Sequence, residues 1–171
     1  MDDNLSPLRL DAESKALEAP AAHHDELRLW LRLLTCSNLI ETEIRTKLRE
    51  RFDVTLPRFD LMAQLDRAPG GMTLSEVSQR MMVTNGNVTH VVDKLLAAGA
   101  ISRRASVTDR RAQVISLTEA GRAEFRAMAA EHETWLARLF GGLTPDEIRQ
   151  LMHLLARAKN AVHAATDGAR R

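Results

Sequence analysis

Residues 73–117 read TLSEVSQRMMVTNGNVTHVVDKLLAAGAISRRASVTDRRAQVISL, and the changes of period within them decide the fold. Thr73-Leu74-Ser75-Glu76 has the form of a capping box, in which Glu76 returns a hydrogen bond to the cap backbone. Leu74, Val77 and Met81 then share the inner face of a short helix. A second helix starts at Thr84, and Val88, Val91, Val92, Leu95 and Leu96 give it a core stripe. Gly99 stands where a helix end takes a left-handed residue. Beyond it, Ile101–Arg104 and Gln113–Leu117 read as two short strands around a polar, basic segment. Two helices joined by a tight turn and followed by such a hairpin make a helix-turn-helix with a wing.

Upstream, a long helix is expected from about His24 to Arg51. Leu29, Leu33, Cys36, Ile40, Ile44 and Leu48 follow one another at helical spacing. A second stripe of Leu27, Trp30, Leu31 and Leu34 lies well around from the first, so this helix needs cover on two sides. Pro57 suits the first turn of a short helix carrying Phe59, Leu61, Met62 and Leu65, and Pro69-Gly70-Gly71 ends that stretch. Downstream, Thr118 caps a helix to about Phe140 whose buried face is Phe125, Met128, Ala129, His132, Leu136 and Leu139. Thr144-Pro145-Asp146-Glu147 is a second capping box opening the last helix. The first 22 residues mix Pro, Ala and acids without a period and read as a flexible tail. The end from Thr166 is expected to fray.

The 171 residues carry 24 Lys and Arg against 23 Asp and Glu, a net charge of +1. That near-neutral total hides a polarised chain. Residues 1–26 hold seven acids against Arg9 and Lys15, a net of −5. From Arg80 to Leu117, Lys94, Arg80, Arg103, Arg104, Arg110 and Arg111 stand against Asp93 and Asp109, leaving +4. Such a local field suits a phosphate backbone. A basic hairpin tip can place an arginine in the minor groove, with Asp109 holding the Arg111 guanidinium in one rotamer. Thr84, Asn85, Asn87, Thr89 and His90 point away from the core in the first two helical turns, and Gly86 leaves room for close approach. Asn pairs with adenine, and Thr bonds bases or touches a thymine methyl. The bland alternatives are a solvated polar helix face and a solubilising pair of arginines.

Composition excludes several classes. No apolar run approaches the length of about 18 residues that spans a membrane. The acidic N-terminus lacks an apolar core, so a signal peptide is not expected and a cytoplasmic location is. One cysteine permits neither an internal disulfide nor a Cys-rich zinc site. Aromatic residues at 4%, with no Tyr, argue against base-stacking single-strand binders. No phosphate loop, nucleophile elbow or paired carboxylate setting suggests an enzyme.

The segments VTHVVDKLLAAGAI, DRRAQVISLTEAG and LTPDEI resemble the MarR family of winged-helix transcription factors, the likeness running from about residue 25 to 163. The resemblance implies a mainly α fold with a small β-hairpin wing. The winged helix-turn-helix body would cover about 55–118, and dimerisation helices about 24–51 and 119–164, within one domain over 23–165. It implies a homodimer, a double-stranded pseudo-palindromic operator and repression relieved by a small molecule. The DNA contacts it implies are Ser75, Thr84, Asn85, Asn87, Thr89, His90, Arg103, Asp109, Arg110 and Arg111. Asp109 and Arg111 match the family's Asp-x-Arg wing signature, whereas His90 stands where many members have Arg.

LWLRLLTCSNLIE and TLPRFDLMAQL look similar to regulators of aromatic-acid and hydroxycinnamate catabolism. That likeness implies an aromatic acid or its CoA thioester as effector and no cofactor. The pocket would draw on Trp30, Leu34, Asn38, Phe59, Met62 and His132, with Trp135 a further candidate. Arg28 and Arg32, or Arg45 and Arg49, would face a thioester's phosphates. Asn38 would either cross a dimer seam or bond the ligand. Core packing and solvated arginines are the plain alternatives. Rival readings are a redox sensor through Cys36, a metal sensor using some of the six histidines, and a winged helix serving only protein contacts. Cys36 on the Leu29/Leu33/Ile40 face is expected to be buried and inert.

Overall fold

The computed structural model describes residues 25–105 and 113–168. It divides into two compact units, one ending at His132 and one beginning at Glu133. The first unit contains α1 (Asp25–Phe52), α2 (Leu56–Asp66), β1 (Met72–Thr73), α3 (Leu74–Met81), α4 (Asn85–Ala97), β2 (Ile101–Ala105) and β3 (Gln113–Leu117). Helix α5 (Glu119–Leu139) crosses the boundary, and α6 (Pro145–Gly168) lies in the second unit. The sequence places a single domain over 23–165, with fraying from Thr166; the helix continues to Gly168. No described helix is long and apolar enough to cross a membrane.

The winged body closes around Leu48, Leu61, Met62, Leu65, Val77, Val88, Val92, Leu95 and Ile115, all essentially inaccessible to water. Each such aliphatic side chain contributes roughly 2 kcal/mol relative to exposure. Val88, Val92 and Leu95 are the inward stripe expected for α4, while Val91 and Leu96 are half-buried at its edges. Three antiparallel strands run in the order β1-β3-β2. The wing register pairs Ile101 with Leu117 and Ala105 with Gln113. Strand β1 is absent from the sequence reading because two residues show no period. Gly71 makes it possible: at φ +82 its Cα comes so close to β3 that a Cβ would lie 2.6 Å from Val114 Cγ1 and 2.7 Å from the Ile115 carbonyl.

The end of α4 shows why hairpin and helix are one piece. Gly99 N–H donates to the Leu96 carbonyl and Ala100 N–H to that of Leu95, both at 3.0 Å, with Gly99 at φ +69. This is the Schellman arrangement. The Ala100 carbonyl then accepts from Thr118 N–H at 3.0 Å, while the Thr118 hydroxyl donates to the Gly99 carbonyl at 2.8 Å. The same hydroxyl accepts from Gly121 N–H at 3.0 Å, which caps α5 as expected. In the second unit Thr144 and Glu147 form the expected capping box: Thr144 N–H donates to Glu147 Oε2 at 2.7 Å, and Glu147 N–H to Thr144 Oγ1 at 3.3 Å.

The buried faces expected for the long helices are only partly buried. On α5, Phe125 and Met128 are covered, Ala129, His132 and Leu136 are half-buried, and Leu139 is exposed. Along α1, Ile44 and Leu48 are buried, but Leu27, Leu29, Trp30 and Leu39 are exposed. Cys36 is exposed too, which corrects the expectation of a buried thiol: among the described residues the N-terminal half of α1 is exposed or half-buried throughout. On α6, Leu151, Met152, Leu154, Leu155 and Val162 are likewise exposed.

At Gly121 an added Cβ would sit 1.9 Å from the Ala100 carbonyl oxygen, a backbone atom that cannot swing away. Gly121→Ala is therefore expected to destabilise the fold by about 2 kcal/mol or more, read as a lower urea midpoint. An unchanged midpoint would show that the joint yields easily.

Candidate nucleic-acid interface

The helix-turn-helix is fixed at both ends by its own backbone chemistry. At the start of α3, Thr73 N–H donates to Glu76 Oε2 at 2.7 Å, and Glu76 N–H donates to Thr73 Oγ1 at 3.3 Å. The Thr73 N–H and, at 2.8 Å, the Thr73 hydroxyl both donate to the Glu76 carboxyl and hold it below its usual range. At the turn, Met82 N–H reaches the Gln79 carbonyl at 3.3 Å and Val83 N–H that of Ser78 at 3.2 Å. Met82 adopts φ 55 to make this closure, an uncommon conformation for a side chain of its size. The Ser78 hydroxyl donates to the Val83 carbonyl at 2.6 Å and braces the turn. Helix α4 begins as the Thr84 carbonyl accepts from Asn87 and Val88 N–H.

Thr84, Gly86, Asn87, Thr89 and His90 are exposed in the first two turns of α4, as is Ser75 at the start of α3. They therefore share a polar, solvent-facing surface. The Asn85 backbone is helical. In the wing, Arg103 is exposed and lies 3.7 Å from Asp93, so it is tied back towards α4. Arg104 donates to the Gly70 carbonyl at 2.7 Å and braces the wing against the loop before β1. The sequence counts both as free basic charge; both have intramolecular partners. Asp109, Arg110 and Arg111 lie outside the described residues.

A profile of the MarR family matches residues 54–112. The HTH-type transcriptional repressor MdtR of Bacillus subtilis is 32% identical over 118 residues, 69% of this chain and 74% of that protein. The chain belongs to the MarR family. Another Bacillus subtilis relative, the HTH-type transcriptional regulator YkoM, is 36% identical over 89 residues, 52% of this chain and 58% of that protein. Among solved structures, a MarR family transcriptional regulator from Silicibacter pomeroyi superposes with a TM-score of 0.70 at 28% identity, covering 81% of this chain and 95% of that one. A mutant MarR from E. coli complexed with operator DNA gives a TM-score of 0.70 at 23% identity, over 78% of this chain and 96% of its own. At that identity the second likeness speaks for the fold alone. For this MarR-family winged-helix regulator, the helix-turn-helix and the base of the wing stand where the sequence places them.

Among the described residues the effector candidates stand in different settings. Phe59 and Met62 are buried in the winged body. Phe59 packs against His132, ring centres 4.9 Å apart, and against Phe125 at 5.5 Å. Trp30, Asn38, Arg28 and Arg32 are exposed on α1, and Leu34 is half-buried. Arg28 lies 3.9 Å from Asp25. Trp135 is buried. Among the described residues no group of three or more His, Cys, Asp or Glu side chains could hold a metal ion.

Three clefts among the described residues lie around Pro57 and α4. One, of ≈ 550 Å³, is lined by Met81, Val83, Val88 and Val91, together with Asn87 and His90. A second, of ≈ 320 Å³, is bounded by Arg45 and Arg49 of α1, Arg58 of α2, and His90 and Lys94 of α4. Spacing singles out Arg45 and Arg49, but Arg58 and Lys94 join them only through tertiary packing. A third, of ≈ 300 Å³, holds Asp60 beside Gln64 and Met81. Burial, and next the charge of Glu41, push the Asp60 carboxyl up from 3.8 to about 6.

Because Asp60 binds its proton more tightly in the folded state, its contribution to stability is present below the unfolded value and lost as pH rises through about 6. Asp60→Asn should flatten the pH dependence of stability between about pH 4 and 6. It should also raise stability at neutral pH by about 1 kcal/mol after solvent screening. Urea titrations across that range check both, and parallel curves for the two proteins would refute the assignment.

Proposed function

We propose that this regulator is a homodimeric repressor that binds a pseudo-palindromic, double-stranded operator and releases it on binding an aromatic acid or its CoA thioester. One observation carries the DNA reading. Helix α4, held by a closed turn to the capped helix α3, presents Thr84, Asn87, Thr89 and His90 to solvent at its start. The segment around it holds four positive charges in excess. Short hydrogen-bonding side chains at the start of a recognition helix are the ones that reach base edges. That the relative MdtR is a transcriptional repressor supports repression. The exposed apolar faces of α1 and α6 support a dimer, since faces of this kind leave water when a second surface meets them. Half-sites would lie about 10 bp apart, one DNA turn. The effector reading rests on the likeness of residues 29–41 and 55–65 to regulators of aromatic-acid catabolism. The effector acts by favouring one of two dimer geometries.

Fluorescence anisotropy on a duplex from the protein's own upstream region tests the DNA reading. Arg111→Ala should weaken binding on all sequences and reduce the salt slope by about 1. Asn87→Ala should relax sequence preference at one position, at a cost of about 1–3 kcal/mol, with little change in that slope. Binding untouched by either variant would remove α4 and the wing from the interface. For the assembly, Leu33→Asp should yield a monomer by sedimentation, and a persisting dimer would place the interface away from α1.

A further inference from the structure

We infer that the cleft between the end of α1, the start of α2 and the outer face of α4 is a binding site for a small organic phosphate, a phosphomonoester head on an apolar body. Four cationic side chains line it: Arg45, Arg49, Arg58 and Lys94. Arg45 is ion-paired with Glu41, one turn earlier on its own helix. No ion pair engages Arg49, Arg58 or Lys94 among the described residues, so about three positive charges face the same small volume without compensation. That excess matches a dianion better than a single carboxylate.

Arg58 adds an independent observation. Its Nε is buried and has no hydrogen-bond partner, the only such side-chain atom among the described residues. A buried donor left unpaired costs free energy, and an anion in the cleft is the chemistry that would satisfy it. The body of the ligand has a place as well. Pro57, His90 and Val91 line both this cleft and the larger one lined by Met81, Val83 and Val88. The two spaces share a wall, one cationic and the other mostly aliphatic. Concavity with an adjoining apolar space suits a small molecule rather than a DNA strand, whose phosphates meet open, convex cations.

The site has a consequence for regulation that rests on reading α4 as the DNA-contacting helix. Gly86, Asn87 and His90 line the apolar space, so a ligand there would occupy surface of the recognition helix. Ligand and operator would then exclude each other directly, without a change in dimer geometry.

Calorimetry on the full chain with 1-naphthyl phosphate, 1-naphthol and inorganic phosphate tests the site without DNA. The aryl phosphate should bind once per chain, tighter than inorganic phosphate and at least about tenfold tighter than naphthol. Arg49→Ala with Lys94→Ala, both at exposed positions, should weaken it about tenfold or more, as should Arg58→Gln. Arg67→Ala with Arg126→Ala, both exposed and outside the lining of the cleft, should leave it unchanged. Equal affinity for naphthol and its phosphate, or indifference to the cleft variants, would overturn the proposal. A loss of duplex affinity in the cleft variants with naphthyl phosphate binding retained would also overturn it, making the cluster a DNA contact. Competition between naphthyl phosphate and the duplex supports the exclusion. Variant-sensitive naphthyl phosphate binding in a chain that binds no duplex supports the site and refutes the regulator reading instead.

Discussion

One backbone carbonyl organises the winged body. The oxygen of Ala100 receives Thr118 N–H at 3.0 Å, in a space open only because residue 121 lacks a Cβ. Three elements meet there: the left-handed end of α4, the base of the wing and the first turn of α5. Once these are locked, α4 cannot rotate without dragging the hairpin, and the hairpin cannot tilt without opening the cap of α5. The polar face of α4 thus inherits its orientation from a contact well away from it in the chain. Regular hydrogen bonds within α4 would hold its shape, but they would not aim it.

The helix-turn-helix and the strands of the wing were readable because their signals are local. A Thr and a Glu three residues apart bond each other whatever surrounds them, as Thr73–Glu76 and Thr144–Glu147 do. Gly99 marks a left-handed position by its own lack of a side chain. Met82 gives no such sign. It takes the same conformation under compulsion from the turn, and its residue type would predict otherwise. Strand β1 is hidden for a related reason, since two residues have no period and only the close approach of Gly71 to β3 creates the pairing.

The candidate sites divide along the same line. The α4 face was legible because solvent exposure follows directly from the core stripe beside it. The cationic cleft was legible only in part. Arg45 and Arg49 are neighbours on one helix, but Arg58 and Lys94 reach them through the packing of three helices. The expected effector residues differ in setting for a simpler reason. Arg28, Trp30, Arg32, Leu34 and Asn38 sit on the part of α1 that is exposed or half-buried among the described residues, and Cys36 shares that setting.

That uncovered stretch of α1 bears on how the helix opens and closes. From Asp25 to Leu39 every residue is exposed or half-buried, whereas Ile44 and Leu48 are anchored in the core. An unsupported helix of this length is marginal in water. Its amides would exchange with solvent quickly at the start, by local fraying, and slowly near Leu48, where exchange demands opening of the whole body. The helix is thus a graded element, rigid where it meets the winged body and pliant where it leaves it. Any surface that docks on the pliant half would order it, and would be registered as amide protection spreading towards the N-terminus.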